Sequence, residues 1–181
     1  MRLHHNAFVS RDLEATRHFY EDVLGLPLVA TWTEVEELLG TEREYCHLFF
    51  GLADGSALAF FQFADEEDQR QFEPQFRPSP FIHIALKTSS EAREQIESRL
   101  DAANWDHFTL DHGYCTSLYA TDPDGLIIEL TVDDPRVDAI SEVRQRLAHE
   151  DLERWLGGDH SSNNTYRHEE AAASEATGAA G

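Results

Sequence analysis

The sequence predicts an α+β fold in which two βαβββ modules are followed by a C-terminal helix. The order strand, helix and three strands occurs twice along the 181 residues. The first strands of the two halves are similar, with HNAF at positions 5–8 matching HIAL at 83–86. A charged segment that contains several prolines separates the two copies and is typical of a linker.

The first module covers residues 1–65. Its opening strand is predicted over residues 3–9, and Asp12 then begins a helical pattern that Gly25 ends. The pair Asp54-Gly55 marks a tight turn before the last strand of the module. Three strands follow the helix, near residues 28–32, 44–50 and 57–63.

The second module covers residues 80–133 and repeats this order. The linker before it is predicted over residues 66–79, which show no hydrophobic period. A strand at 81–87 leads into a helix through the capping box TSSE at 88–91. Three further strands are predicted near residues 107–110, 115–120 and 126–132.

A C-terminal helix is predicted over residues 134–157, because Asp134-Pro135 supplies an N-cap and a first-turn proline. Ile140 and Val143 lie on one apolar face of this helix. We expect that face to pack against the sheet or against the second subunit of a homodimer. The remaining residues, 158–181, are polar, and the last dozen are expected to be disordered.

The charge of the chain disfavours two classes of partner. The 35 acidic residues outnumber 14 basic ones, and the net charge of −21 repels nucleic acid and anionic membranes. No apolar run approaches the roughly 20 residues that span a bilayer, and the N-terminus lacks the pattern of a secretory signal. We therefore expect a cytoplasmic protein in which Cys46 and Cys115 are reduced thiols.

One carboxylate in an apolar strand needs a cationic partner, unless it faces water at a sheet edge. Glu129 lies in the segment LIIEL, where burying an unpaired carboxylate is costly. If a pseudo-twofold axis relates the modules, His5 and His83 occupy equivalent first-strand positions and can converge. His4 is expected to point to the opposite face of its strand. The sequence therefore predicts a curled mixed sheet around one divalent metal ion held by His5, His83 and Glu129.

Two imidazoles and one carboxylate are the donors with which non-haem Fe(II) oxygenases bind substrate and O₂ together, so Fe(II) is favoured. Mn(II), Zn(II) and Co(II) also fit these donors. Glu129 lies four residues after Gly125, and the residue four after Gly55 in the first module is Ala59. The fourth position around the predicted metal therefore has no protein ligand.

The chain resembles the vicinal oxygen chelate superfamily over about residues 1–133. This superfamily includes glyoxalase I, fosfomycin-resistance thiol transferases, bleomycin-binding proteins and type I extradiol dioxygenases. The similar segments are HNAFVSRDL at 5–13, with FY at 19–20 and LG at 24–25, and DPDGLIIE at 122–129. In the family the last glutamate is a metal ligand, and the resemblance implies that role for Glu129.

A narrower resemblance is to the ring-cleavage signature of extradiol dioxygenases. His112, Tyr119, the DPDG turn at 122–125 and Glu129 have the spacing of that signature, whereas Leu110 departs from it. The resemblance implies that His112 is an acid/base group and that Tyr119 hydrogen-bonds a substrate oxygen. Histidine titrates in the range useful for this role. The structural alternatives are a loop histidine and a tyrosine packed in the core.

The leading hypothesis is Fe(II)-dependent extradiol cleavage of a small, catechol-like molecule by O₂. A glyoxalase-like lyase or isomerase is one alternative, although Ala59 stands where that enzyme has a carboxylate. A fosfomycin-type thiol transferase is another, but it needs a cationic cluster, and Lys87 is the single lysine of this chain. A bleomycin-resistance-like binding protein would use the same scaffold without a metal and would not require three ligands.

Overall fold

A computed structural model describes residues 1–73, 79 and 81–166. It confirms the α+β class, with two open four-stranded sheets and the predicted order of elements. The first sheet has the order β1-β4-β3-β2 and contains β1 (His5–Val9), β2 (Leu28–Leu38), β3 (Thr41–Gly51) and β4 (Ala57–Phe63). The second has the order β5-β8-β7-β6 and contains β5 (His83–Lys87), β6 (His107–Asp111), β7 (Cys115–Thr121) and β8 (Ile127–Asp133).

The described chain forms four helices and two compact units. The helices are α1 (Leu13–Arg17), which continues as a π-helical turn (His18–Val23), α2 (Glu66–Phe72), α3 (Ser90–Ala102) and α4 (Val137–Leu156). The first unit comprises Met1–Ile84, Glu94–Asp106 and Ala120–Ile128. The second comprises Ala85–Arg93, His107–Tyr119 and Glu129–Gly181. Among the described residues, no helix is both long enough and apolar enough to cross a membrane.

The first sheet is mixed because it contains both parallel and antiparallel strand pairs. β1 runs parallel to β4, whereas β2, β3 and β4 are joined as antiparallel neighbours. The predicted Asp54-Gly55 turn joins β3 to β4, with Gly55 at a φ of +83° that favours glycine. Asp54 Oδ1 accepts hydrogen bonds from both the amide and the hydroxyl of Ser56, at 2.9 and 2.6 Å. This side chain therefore fixes the turn.

The first helix begins where the sequence predicts. The Asp12 side chain accepts hydrogen bonds from the amides of Glu14 and Ala15, both at 3.0 Å. The helix then widens into a π-helical turn, which the sequence does not predict. Phe19 and Tyr20 lie in this turn and are fully buried, so the wider turn places two adjacent aromatic rings in the core.

The core of the first unit is built around Tyr20. Its ring stacks on Phe50 at 5.3 Å and packs against Phe60 at 4.6 Å between ring centroids. Its hydroxyl donates a 2.9 Å hydrogen bond to Asp122 Oδ2. Asp122 Oδ1 accepts two more, from the amides of Asp124 and Leu126, at 2.9 and 2.7 Å. The carboxylate thus ties the turn before β8 to the aromatic core.

The chain between the modules contains a helix that the sequence does not predict. α2 has seven residues, and the Asp65 side chain caps it by accepting from the amides of Glu67 and Asp68. Residues 74–78 of the linker, and residue 80 at the start of the second module, lie outside the described part of the chain. A short, charged helix of this kind has no apolar stripe to reveal it.

The C-terminal helix begins later than predicted. Asp134 does not cap it, because Asp134 and Pro135 form a turn in which the Val137 amide donates to the Asp134 carbonyl at 2.9 Å. Of the polar tail, residues 158–166 are described, and Ser161, Asn163 and Asn164 hydrogen-bond other parts of the chain. The last dozen residues, for which the sequence predicts disorder, lie outside the described residues.

The first prediction concerns Asp122. Burial raises its pKa to about 6 although three hydrogen bonds oppose this. The folded protein therefore binds a proton at pH values where the unfolded chain is ionised, so the group favours folding at low pH and opposes it at high pH. The free energy of unfolding of the wild type minus that of Asp122→Asn should fall between about pH 4 and pH 6, by at most about 3 kcal/mol. Urea unfolding at several pH values measures it.

Asp54 is the matched control because its pKa is shifted the other way. The hydrogen bonds from Ser56 hold the pKa of Asp54 below its ordinary value. The corresponding difference for Asp54→Asn should therefore rise with pH. A difference for Asp122→Asn that is independent of pH, or that rises as for Asp54, would contradict the buried-charge interpretation.

Candidate active site

Three side chains of the second unit form a polar cluster. His112 Nε2 lies 2.9 Å from the Tyr119 hydroxyl oxygen and 4.0 Å from Glu129 Oε1. The same hydroxyl also hydrogen-bonds the Glu129 carboxylate. The structure therefore brings together the two residues predicted to act in catalysis and one predicted metal ligand, which come from the turn before β7, from β7 and from β8.

Strand alternation positions most of this cluster. Ser117 and Tyr119 share one face of β7, and Glu129 and Thr131 share one face of β8. The Thr131 hydroxyl donates to Glu129 Oε1 at 3.2 Å, and Ser117 Oγ lies 3.2 Å from the Thr131 hydroxyl. A chain of hydroxyls therefore runs from β7 to the carboxylate in β8.

Both Glu129 and Tyr119 are buried. Glu129 is 7% exposed and Tyr119 is 6% exposed. The ring of Phe108 stacks on that of Tyr119, with 4.9 Å between centroids and 10° between planes. Burial, followed by the hydrogen bond to Glu129, raises the pKa of Tyr119 to about 12. At neutral pH its phenol therefore keeps its proton and acts as a hydrogen-bond donor.

His112 lies in the turn between β6 and β7. Gly113 follows at a φ of +80°, which requires glycine or a strained residue. The Gly113 amide donates to Asp111 Oδ1 at 2.6 Å, and the His112 amide donates to the Cys115 carbonyl at 2.9 Å. The His112 side chain remains 19% exposed, so it can meet a molecule from solvent.

His5 begins β1 and lies beside two other histidines of the first unit. His4 Nδ1 is 2.7 Å from His5 Nδ1, and the ring centroids of His5 and His47 are 6.3 Å apart. The prediction that His4 points to the opposite face from His5 is wrong. His4 precedes β1, so strand alternation does not apply to it.

His47 is a residue of this region that sequence reasoning missed. Its ring stacks on Phe61 at 3.6 Å, and its Nε2 is buried without a hydrogen-bond partner among the described residues. Burial, followed by the nearby His5, lowers its pKa. The rings of His5 and His47 approach each other because β4 lies between β1 and β3 in the sheet, a pairing of distant segments that the sequence alone does not reveal.

His83 begins β5, and the residue is exposed. His5 and His83 belong to the first unit and Glu129 to the second. Within either unit, the described residues hold no group of three or more histidine, cysteine, aspartate or glutamate side chains placed to hold a metal ion. The ligand set His5, His83 and Glu129 therefore stays a prediction from the sequence. Ala59 is fully buried in β4.

The comparison with protein families decides the classification. Residues 2–130 match the Glyoxalase/Bleomycin resistance protein/Dioxygenase superfamily. The chain belongs to this superfamily. The superfamily contains many enzymes, and its members include glyoxalases and fosfomycin resistance proteins. No curated protein sequence matches the chain.

Solved structures of this superfamily share the fold. A glyoxylase/bleomycin resistance protein/dioxygenase domain from Frankia sp. EAN1pec has 16% identity and a TM-score of 0.56, covering 75% of this chain and 93% of that one. FosX, a fosfomycin resistance protein from Listeria monocytogenes complexed with Mn(II) and sulfate, has 18% and 0.53, covering 77% and 97%. A glyoxalase/dioxygenase from Nostoc punctiforme has 24% and 0.50, covering 74% and 91%. At such identities these similarities show the fold alone.

The second prediction concerns His47 in the metal-free protein. Because its pKa is lowered, the folded state resists protonation while the unfolded imidazole becomes charged below about pH 6.5. The wild type therefore loses stability as the pH falls through that value. Phe can keep the stack on Phe61. The stability of His47→Phe minus that of the wild type should therefore be larger at about pH 5 than at about pH 7. Thermal unfolding of both proteins at the two pH values measures this.

The exposed His149 provides the control. His149→Gln should leave the pH dependence of the melting temperature close to that of the wild type. The interpretation is wrong if His47→Phe and the wild type lose the same stability on acidification.

Proposed function

We propose that the chain is a metal-dependent extradiol ring-cleaving dioxygenase, which acts with Fe(II) and O₂ on a catechol-like substrate. The observation that carries this proposal is the cluster of His112, Tyr119 and Glu129. These residues have the spacing of the ring-cleavage signature. The Tyr119 hydroxyl hydrogen-bonds both His112 and Glu129, and His112 Nε2 lies 4.0 Å from Glu129 Oε1. Family membership supports a small-molecule substrate but does not select among the reactions of the superfamily.

The metal ligands in this proposal are His5, His83 and Glu129. Two imidazoles and one carboxylate suit Fe(II), and they also suit the Mn(II) with which the FosX structure was determined. The burial of Glu129 fits the same role, because a carboxylate in an apolar strand is stabilised by a cation. When bound, the metal would acidify the catechol hydroxyls and bring substrate and O₂ together.

The side chains of the cluster suit the two proton-handling tasks of such a reaction. The Tyr119 phenol keeps its proton at neutral pH and can donate a hydrogen bond to a substrate oxygen. The His112 imidazole can accept a proton from a catechol hydroxyl and return it later in the reaction. Its partial exposure lets the imidazole face the substrate, while its contact with Tyr119 holds the ring in place.

The alternative functions differ in what they need beside the metal. The fully buried Ala59 stands at the position where a glyoxalase-like enzyme would need a fourth carboxylate. A thiol transferase would leave His112 and Tyr119 without a catalytic task. These alternatives and a metal-free binding protein are distinguished by the measurements below.

The third prediction concerns Glu129. Wild-type protein purified without oxygen should contain about one equivalent of iron and consume O₂ when a catechol is added. Glu129→Ala should lose most of the metal and the O₂ uptake, because the only carboxylate of the donor set is gone. Mass spectrometry of the metal content and an oxygen electrode measure the two quantities. Glu142→Ala, which removes an exposed glutamate in α4, should retain both.

Each other outcome assigns a different function. Metal without O₂ uptake on any catechol would indicate an isomerase or a transferase. Wild-type protein without metal would contradict the ligand set and leave a binding protein.

The fourth prediction concerns Tyr119. Tyr119→Phe should keep the metal but lower kcat about tenfold or more, because the substrate loses one positioned donor. Tyr45→Phe is the matched control, since the Tyr45 hydroxyl also donates to a glutamate, Glu34, at 2.9 Å. Steady-state O₂ uptake by both variants measures kcat and KM. Equal kcat values in Tyr119→Phe and Tyr45→Phe would remove Tyr119 from the mechanism.

A further inference from the structure

The turn that carries His112 uses most of its own hydrogen-bonding groups internally. As described above, the amides of His112 and Gly113 bond within the turn. Tyr114, the residue after Gly113, is held by the turn that precedes α4, because the Asp134 amide donates to the Tyr114 carbonyl at 3.0 Å. The carbonyl of His112 accepts a hydrogen bond from a residue that lies fifty-two positions further along the chain.

That segment, residues 159–166, is here named the C-terminal strap. Arginines spaced along α4 hold it. Arg154 donates to the hydroxyl and the carbonyl of Ser161, at 2.8 and 2.9 Å. Arg144 donates to the Asn163 carbonyl at 3.3 Å, and Arg136 lies 5.8 Å from the centre of the Tyr166 ring. The strap is therefore attached to the helix at several points, which restricts its position.

Within the strap, Asn164 contacts the turn. Asn164 Nδ2 donates a 3.0 Å hydrogen bond to the His112 carbonyl. The orientation of the Asn164 side-chain amide follows from this contact, because only its NH₂ group can donate a hydrogen bond to a carbonyl oxygen. The Asn164 Oδ1 atom is buried and has no hydrogen-bond partner in the described part of the chain. Burying this oxygen without a partner costs free energy. The position of the side chain is therefore better explained by the hydrogen bond that it donates to the turn.

We propose that Asn164 is a positioning residue for His112. Through the backbone carbonyl it fixes the turn, and the turn aims the imidazole at the Tyr119 hydroxyl. The inference rests on the proposed function in so far as His112 moves protons in the reaction. It assigns a role in the active site to a polar C-terminal segment that lies outside both βαβββ modules.

The isosteric change Asn164→Asp tests this proposal, because it removes the donor at nearly constant shape. The matched control is Asn163→Asp, which adds the same charge one residue earlier on an exposed side chain. In NMR spectra of the metal-free protein, Asn164→Asp should shift the Gly113 amide, which belongs to the same peptide group as the His112 carbonyl. It should also weaken the nuclear Overhauser contact between the His112 and Tyr119 rings. Asn163→Asp should change neither.

The kinetic arm uses the iron-loaded protein. Asn164→Asp should lower kcat about tenfold, with KM and metal content close to the wild-type values, because a misaimed imidazole slows the reaction but does not bind the metal. The proposal is overturned if the rings keep their contact in Asn164→Asp, or if the two variants have equal kcat. If wild-type protein cleaves no catechol, the proposed function fails, and the NMR comparison still decides whether Asn164 positions His112.

Discussion

The buried carboxylate of Glu129 is the constraint on which the second unit's polar face depends. A carboxyl group that is 7% exposed in an apolar strand must be compensated by hydrogen bonds or a cation. Thr131 donates one hydrogen bond and Tyr119 another, and His112 lies within 4.0 Å. None of these groups has a fixed positive charge. The cluster therefore offsets part of the cost of burying the carboxylate.

The ring-cleavage signature that the chain resembles contains two physically different kinds of residue. His112, Tyr119 and Glu129 present side chains to one another and can act on a bound molecule. Asp122 has a structural task, because its carboxylate caps the turn and accepts from the buried Tyr20 hydroxyl. This turn leads directly into β8, the strand that contains Glu129. The spacing of these residues therefore depends on the turn as well as on the side chains that meet in the cluster.

Much of the fold follows from local rules. Periodicity and turn residues predict β4 at the bounds that the structure has, and Asp12 is the cap that its position suggests. The missed features depend on contacts between distant parts of the chain. His47 lies near His5 only through the pairing of three strands, and Asn164 bonds a carbonyl fifty-two residues away. Polar segments held by backbone carbonyls leave no hydrophobic pattern from which they could be predicted.

Strand alternation explains why a polar cluster can be buried here without disrupting the core. In β7 and β8 the apolar residues Leu118, Ile128 and Leu130 occupy one set of alternating positions and are at most 4% exposed. Ser117 and Glu129 occupy the other set and are buried as well, at 0% and 7%. Both faces are therefore covered, but only one is lined by hydroxyl, carboxylate and phenol groups. A purely structural sheet would gain stability from apolar residues at those positions, so the polar lining favours a role in binding and catalysis.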